Sequence, residues 1–318
     1  MKALVTGVAG FIGSTLAQTL HAAGWDVTGI DNLSPYYDER IKRHNLTKLE
    51  NALSTFVEAD LRSTDLDRLI AGVDVVFHLA GQPGVRKSWG DSFSDYVDAN
   101  VSATQVLLEA IRRSDDPPRL VYASSSSVYG DAEAYPTRED LEPRPRSPYG
   151  VTKLAAEHLC RLYAANYDLV TVSLRFFTVY GPRQRPDMAF TRFLSAAVMG
   201  TPISVYGTGE QTRDFTFVGD IVDALVRAGT APVNPGSVYN VSGGGSFSVN
   251  EVLSTIEALV GEPLTVQRQS AALGDVQRTS ADTTAIMRDL DWSASTDLST
   301  GLRHQLEWVR SSGLLLAP

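Results

Sequence analysis

The sequence predicts an α/β protein built on a doubly wound parallel sheet, with a smaller mixed α/β unit towards its C-terminal end. Short apolar runs alternate with helical segments through the first part of the chain. A glycine-rich turn lies between the first apolar run and the first helix. The 318 residues, 43% of them hydrophobic, are also enough to bury more than one compact core.

The elements of this first part follow one another in a regular order. Apolar and β-branched residues predict six strands, at residues 3–6, 27–30, 55–57, 73–79, 120–123 and 170–176. Helical spacing predicts helices at residues 14–23, 99–111 and 148–166, and Gly24 ends the first of them. Strands that alternate with helices are typical of a parallel sheet, because each crossover returns the chain to the same edge.

The alternation becomes irregular beyond Gly181. Pro182, Pro186 and Pro202 interrupt the chain there, and residues 238–241 have the composition of one more buried strand. We therefore predict two domains. Residues 1–180 and 214–242 form the larger one, and residues 181–213 and 243–318 form the smaller one.

Composition and charge exclude several classes of function. The formal charge of −9 is a poor match for nucleic acid or an anionic membrane, and no apolar run approaches the ~18 residues that a membrane helix needs. The five histidines show no metal-ligand spacing, so we expect no metal. A single cysteine, Cys160, cannot form an intrachain disulfide, which favours a reducing cytoplasm.

The glycine-rich turn predicts a dinucleotide site. Gly7-x-x-Gly10-x-x-Gly13, with Phe11 and Ile12 inside it, lets the backbone approach a pyrophosphate at the start of a helix. Asp31 follows the second strand, where its carboxylate would accept hydrogen bonds from the adenosine ribose and repel a 2′-phosphate. The neighbouring Asn32 brings no cation that would offset this repulsion. The sequence thus predicts a Rossmann-type doubly wound sheet that binds NAD rather than NADP.

Asp60 and Leu61 end the third strand, where they could lie along an adenine edge. A solvated strand end explains the same two residues nearly as well, so both interpretations stay open.

A second motif predicts the catalytic groups. Ser147 can cap a helix that begins at Pro148, which places Tyr149 and Lys153 one turn apart on the same face. A nearby ammonium and a positively charged nicotinamide both favour the tyrosine phenolate, which could then remove a proton from an alcohol. The run of four serines at residues 124–127 follows the fifth strand, at the sheet edge where ligands bind. We expect at least one of these hydroxyls to act on the reacting oxygen.

Taken together, these motifs and the segment His78-Leu79-Ala80 resemble the extended short-chain dehydrogenase/reductase family. This family includes nucleotide-sugar epimerases, dehydratases and decarboxylases. The resemblance implies that Ser125, Tyr149 and Lys153 form the catalytic triad. It also implies that Leu79 and Ala80 line the cofactor, whereas His78 could equally be an ordinary buried residue.

The resemblance also indicates the reaction. Family dehydratases carry Asp-Glu where Ser126 and Ser127 stand, and decarboxylases carry Glu at Ser127, so epimerisation at C4 of the sugar remains. Thr178, the segment beginning with Arg185 and the Arg86 region resemble UDP-glucuronate 4-epimerases. Arg185 would hold the C6 carboxylate of the sugar.

Other family positions would contact the rest of the substrate. Arg213 resembles the residue that reaches the diphosphate, and Asp275 and Arg278 resemble a loop near the uridine. The resemblance further implies a homodimer formed through the helices at residues 99–111 and 148–166. Two alternatives stay open: a UDP-glucose or UDP-N-acetylglucosamine 4-epimerase, and a catalytically silent NAD-binding regulator.

Overall fold

A computed structural model of the chain describes residues 1–270 and 278–313. A parallel sheet of seven strands is the largest element of these residues, in the order β11-β6-β5-β4-β1-β2-β3. The strands, numbered along the chain, are β1 Lys2–Thr6, β2 Asp26–Asp31, β3 Thr55–Glu58, β4 Val75–His78, β5 Arg119–Ser125, β6 Thr171–Phe176, β7 Val179–Tyr180, β8 Ile203–Tyr206, β9 Thr212–Asp214, β10 Thr216–Phe217, β11 Ser237–Val241, β12 Ser246–Ser248 and β13 Val266–Gln269. The sheet confirms the doubly wound fold, and each predicted strand overlaps an observed one.

Helices cover both faces of this sheet. They are α1 Phe11–Ala22, α2 Glu39–Thr47, α3 Leu66–Ile70, α4 Phe93–Tyr96, α5 Ala103–Arg113, α6 Pro148–Tyr167, α7 Ala189–Met199, α8 Val218–Thr230, α9 Val249–Val260, α10 Thr284–Leu290 and α11 Leu298–Ser311. Apolar side chains of α1 and α8 bury one face of the sheet, and those of α5 and α6 bury the other. Such two-sided burial explains why the strands are apolar on both faces.

The predicted helix at residues 99–111 is longer and less regular than expected. It begins at Phe93, passes through a π-helical segment at Val97–Ser102 and continues as α5. The side chain of Asn100 lies in this segment and hydrogen-bonds the backbone of Gln82 and the hydroxyl of Thr152. π-helical turns are frequently found at functional sites, and this one faces the start of α6.

The C-terminal part has a core of its own. Residues of α7, α9 and α11 pack around Phe190, Ile256 and Leu302. The segment with α10 is different, because Ile286 and Trp292 pack into the core of the large sheet, although the predicted division assigns them to the smaller domain. The division into two domains therefore stays a prediction.

No helix among the described residues is long and apolar enough to cross a membrane.

Candidate active site

The glycine-rich turn forms a cradle that side chains would fill. Gly7 has φ +69°, and a Cβ there would lie 2.8 Å from the backbone nitrogen of Ala80. A Cβ at Gly13 would overlap the carbonyl oxygen of Gly7. Helix α1 starts directly after Gly10, so its first N–H groups face the space above the turn. This geometry fits a pyrophosphate, as the sequence predicts.

Asp31 lies at the end of β2 with only 7% of its surface exposed. Its carboxylate accepts hydrogen bonds from the backbone N–H groups of Ala9 and Leu33, at 3.1 and 2.8 Å. Lys42 also approaches it, with Nζ 3.5 Å from Oδ1. The sequence interpretation considered Asn32 and missed Lys42, because α2 brings this cation back from eleven residues further along the chain.

A cleft of about 720 Å³ runs along the carboxyl ends of the strands. All thirteen residues predicted to bind the cofactor line it: Gly7, Gly10, Phe11, Ile12, Gly13, Asp31, Asn32, Asp60, Leu61, Leu79, Ala80, Tyr149 and Lys153. Their contact with a cofactor stays a prediction, but the space joins them in one continuous site. Asp60 also has local partners, since it accepts hydrogen bonds from Arg62 and Asn32, and the bond from Arg62 lowers its pKa.

The catalytic motif lies at the start of α6. Ser147 caps the helix by accepting a hydrogen bond from the N–H of Gly150 at 3.1 Å, and Pro148 is its first residue. A Cβ at Gly150 would lie 2.5 Å from the carbonyl oxygen of Ser127, so this glycine lets α6 pack closely on the serine turn. The close packing brings Tyr149 within hydrogen-bonding range of Ser125.

The environment of Tyr149 acts on its pKa in two directions. Burial raises the pKa, whereas the hydrogen bond with Ser125 and the charge of Arg185 lower it, and the pKa remains above its ordinary value. Arg185, predicted only as a sugar contact, is thus the cation that lowers the pKa of this phenol. Burial lowers the pKa of Lys153 to about 8, and its Nζ lies 4.8 Å from the ring centroid of Tyr122.

The structure separates the four serines. Ser125 Oγ accepts a hydrogen bond from the N–H of Ser127 at 3.1 Å. Ser124 turns to the interior, where its hydroxyl donates to Glu157 at 2.7 Å. Ser126 and Ser127 belong to a 3₁₀ turn and are partly exposed. Ser125 is therefore the serine placed beside Tyr149.

Glu157 and Arg175 form a buried network that the sequence interpretation missed. Arg175 donates two hydrogen bonds to the Glu157 carboxylate, at 3.0 and 2.6 Å, and both side chains are at most 2% exposed. The guanidinium also donates to the hydroxyl of Tyr129 at 2.6 Å. The available signal was that Glu157 follows Lys153 by four residues and therefore shares its helix face. Charged residues are seldom fully buried, so this signal is weak.

The predicted sugar contacts lie at different distances from the cleft. Arg185 lines it and pairs with Asp187. Thr178, between β6 and β7, is partly exposed and accepts a hydrogen bond at its carbonyl from the N–H of Thr216. Arg86 lies outside the lining residues, with its guanidinium 4.6 Å from the ring of Tyr206.

Arg213 and Arg278 come close together through a bridge between Thr212 and the backbone of Arg278. Arg278 stacks on Tyr135 at 5.0 Å, and Arg213 donates to the carbonyl of Thr212. The predicted contact Asp275 lies outside the described residues.

His78 belongs to the core rather than to the cleft. Its ring nitrogens hydrogen-bond the hydroxyls of Thr6 and Thr104, at 2.8 and 3.0 Å. Burial, followed by the charge of Lys153, lowers its pKa to about 3. The alternative interpretation of His78, as an ordinary buried residue, is the correct one.

The loop between β2 and α2 supplies cleft residues that no motif indicated. Tyr36 and Tyr37 line the cleft, and Tyr96 from α4 lies beside them. The ring of Tyr96 packs edge-on against Tyr149, with centroids 6.3 Å apart. The sequence feature that could have indicated these cleft residues is the pair of adjacent tyrosines shortly after Asp31.

A cradle for a dinucleotide pyrophosphate, next to a tyrosine and a lysine on one helix face, defines a dinucleotide-dependent enzyme that acts on alcohols. The chain belongs to the NAD dependent epimerase/dehydratase family, whose model matches residues 3–242. No group of metal-binding side chains occurs among the residues described in the structure.

Three relatives extend the likeness over nearly the whole chain. A UDP-glucuronic acid 4-epimerase from Bacillus cereus, solved in complex with UDP-glucuronic acid and NAD, is 40% identical with a TM-score of 0.93, over 98% of this chain and 100% of that one. The uncharacterized UDP-glucose epimerase YtcB of Bacillus subtilis is 40% identical over 98% of both chains. A probable UDP-glucuronate 4-epimerase of Rhizobium meliloti is 35% identical over 97% of this chain and 96% of its own.

Proposed function

We propose that the protein converts UDP-glucuronate to UDP-galacturonate by NAD-dependent epimerisation at C4, through a transient 4-keto sugar. The observation that carries this proposal is the meeting of Tyr149 and Arg185 in one cleft. A phenol next to a cation fits a substrate that has both a reacting hydroxyl and a carboxylate.

The predicted site residues divide between cofactor and substrate. The glycine turn and Asp31 would hold the pyrophosphate and adenosine ribose of NAD, with Leu79 and Ala80 along its length. When bound, NAD supplies the ring that takes up hydride from C4 and returns it. Arg213, Arg278 and Asp275 would hold the UDP moiety, so that the sugar could turn while the nucleotide stays in place.

Tyr149 performs the proton transfer. Its phenol removes the proton of the 4-hydroxyl and later gives a proton back to the 4-keto oxygen. Ser125 hydrogen-bonds Tyr149 and the reacting oxygen, which stabilises the negative charge in both positions. Lys153, buried beneath them, adds positive charge to this part of the cleft.

Arg185 accounts for the choice of an acidic sugar. Oxidation of glucuronate at C4 produces a β-keto acid, which loses CO₂ readily when the bond to the carboxylate aligns with the carbonyl π system. A guanidinium that holds the carboxylate would keep this bond out of alignment and favour localised charge. Thr178, Ser126, Ser127 and Arg86 would complete the sugar site without adding a carboxyl group for elimination.

The homodimer and the cytoplasmic location are further parts of the proposal. Helix α6 exposes large apolar side chains, Leu162 at 55% and Tyr167 at 52%, on the helix that the family resemblance assigns to the dimer. The only cysteine, Cys160, is a buried free thiol, which suits a reducing compartment. Light scattering after size exclusion would give twice the mass of the 34.4 kDa chain.

Incubation of the purified protein with UDP-glucuronate, UDP-glucose and UDP-N-acetylglucosamine in separate reactions tests the function. We expect NMR of the products to show UDP-galacturonate as the fastest product, with little UDP-pentose. Faster conversion of a neutral UDP-sugar would contradict the assignment of substrate. Absence of turnover on all three substrates would favour the alternative of a catalytically silent NAD-binding regulator.

A further inference from the structure

Arg185 is already paired in this structure. Its Nε and Nη2 donate to the two carboxylate oxygens of Asp187, at 3.0 and 2.9 Å. The side chains are only 19% and 34% exposed, so water screens this pair less than it screens a surface pair. Burial lowers the pKa of Arg185, but the hydrogen bond and charge of Asp187, together with Tyr36 and Tyr149, raise the pKa above its ordinary value and keep the group charged.

The geometry of this pair decides how Arg185 can meet a second carboxylate. A guanidinium has five N–H donors arranged along two usable edges. Asp187 occupies the edge formed by Nε and Nη2, which leaves the edge formed by Nη1 and the second N–H of Nη2. A ligand carboxylate can therefore bind Arg185 without displacing Asp187.

Tyr36 contacts the same guanidinium with its ring. The guanidinium carbon of Arg185 lies 5.9 Å from the centroid of the Tyr36 ring, within the range of a cation–π contact. Lys87 lies over this ring as well, at 4.6 Å. A Cβ at Gly84 would overlap the Tyr36 hydroxyl, so only a glycine there allows the ring to sit so close.

The Tyr36 ring is in turn held by hydrogen bonds. Its hydroxyl hydrogen-bonds that of Tyr96, whose single O–H is shared between the carbonyl oxygens of Pro83 and Gly84, each 2.8 Å away. This chain of bonds connects the loop after β2 to the segment after β4. The position of Arg185 is thus defined by Asp187 at one edge and by the contact with the Tyr36 ring.

We propose that Asp187 and Tyr36 are specificity-determining positioning residues, which present the free edge of Arg185 to the C6 carboxylate of the sugar. This inference rests on the proposed function, since only an acidic sugar uses that edge. Neither residue needs to contact the substrate. A UDP-sugar with a C6 hydroxymethyl group gains nothing from their presence.

Binding constants measured on the NAD-containing protein test this inference without relying on turnover. Calorimetric titration with UDP-glucuronate, UDP-glucose and UDP gives the contribution of the C6 group as a difference. We expect Asp187→Asn and Tyr36→Leu each to weaken UDP-glucuronate about tenfold, the loss of one oriented charged hydrogen bond. Binding of UDP-glucose and UDP should change less than about twofold, and Asp187→Glu should recover part of the loss.

Asp140→Asn is the matched control. Arg138 and Asp140 form a pair of the same spacing and geometry, at 3.1 and 3.0 Å, but both side chains are more than 60% exposed. This variant should bind all three ligands as the unchanged protein does.

Two outcomes would overturn the inference. Equal weakening of all three ligands would mean that Asp187 and Tyr36 support only the general structure of the cleft. Unchanged or tighter binding of UDP-glucuronate in Asp187→Asn would mean that Asp187 does not orient Arg185 for the sugar. Failure of the proposed function looks different, because the unchanged protein would then not prefer UDP-glucuronate to UDP-glucose at all.

Discussion

At the scale of single residues, the chemistry depends on how the surroundings of Tyr149 balance. Burial opposes ionisation of the phenol, and the hydrogen bond with Ser125 and the charge of Arg185 favour it. The phenol is therefore neutral at physiological pH until a further positive charge arrives in the cleft. This arrangement restricts base catalysis to the state in which the cleft is filled.

Replacing Tyr149 by Phe removes the proton-transferring hydroxyl and leaves the ring that packs against Tyr96. Epimerisation should fall by about 10²- to 10⁴-fold, the usual contribution of a positioned acid–base group. Initial rates of UDP-galacturonate formation measure this, and NAD content after gel filtration shows whether the cleft is intact. A variant that retains most of its activity would assign the proton transfer to another group.

The burial of His78 should make the free energy of unfolding depend on pH in mild acid. Its pKa is about 3 in the folded protein, against an ordinary value of 6.5, so between these two pH values only the unfolded chain takes up this proton. The free energy of unfolding should therefore fall as the pH drops from 6.5, by about 2 kcal/mol near pH 5 from this one group. Urea unfolding of the unchanged protein and of His78→Gln, each at about pH 6.5 and about pH 5, checks this. Equal losses in the two proteins would contradict it.

Sequence reasoning worked at residues whose role depends on local spacing. Ser147, Tyr149 and Lys153 lie close to one another at the start of α6, and their cap and common face follow from that spacing. Lys42 and Tyr36 could not be found in this way. Their positions beside Asp31 and Arg185 depend on how the loop between β2 and α2 folds back over the cleft.

At the scale of elements, helix α6 carries Tyr149, Lys153 and Glu157 on one face at intervals of about one turn. Glu157 binds Arg175 of β6 and Ser124 of β5, so one buried carboxylate joins the three elements that position Tyr149, Ser125 and Thr178. A charge that is buried and fully hydrogen-bonded fixes a geometry, because a shift of any element would leave it unpaired.

Glu157→Gln should destabilise the fold through Arg175, which would keep a buried charge without its counter-ion. We expect the free energy of unfolding to fall by about 3–5 kcal/mol. Asp67→Asn breaks the exposed pair with Arg113, whose side chains are 59% and 49% exposed, and should cost less than about 1 kcal/mol. Urea unfolding compares the two variants, and similar losses would show that burial of the Glu157 pair is not decisive.

Prediction of whole elements succeeded where hydrophobic periodicity is strong. Each strand of the large sheet has an apolar run of its own, and the observed bounds differ from the predicted ones by at most two residues. The π-helical segment before α5 was not predictable, because it arises from hydrogen bonds of Asn100 to distant Gln82 and Thr152. Periodicity describes one helix at a time and contains no such tertiary contact.

At the scale of the whole molecule, the sheet order explains why one cleft can serve two ligands. Strand β1 lies between β4 and β2. The chain adds β2 and β3 on one side of β1 and the later strands on the other, so the order of strands reverses beside the glycine turn. Ligands bind parallel sheets at such a switch point. The glycine turn, Asp31 and the Tyr149 helix all reach this place from different parts of the chain.

The boundary between the two predicted domains is crossed by contacts between distant parts of the chain. The segment around Trp292 returns to the large sheet, where its indole N–H donates to the carbonyl of Asp220 at 3.0 Å. Asp220, in the first turn of α8, accepts hydrogen bonds from the backbone N–H groups of Ser295 and Thr296. Both contacts join positions more than seventy residues apart, which local patterns cannot indicate.

We expect the hydride that leaves C4 of the sugar to return to the same carbon inside the cleft. UDP-glucuronate carrying deuterium at C4, incubated in ordinary water, tests this directly by NMR and mass spectrometry of the product. We expect UDP-galacturonate that still carries the deuterium at C4. Inverted product with hydrogen from the solvent at that position would contradict it.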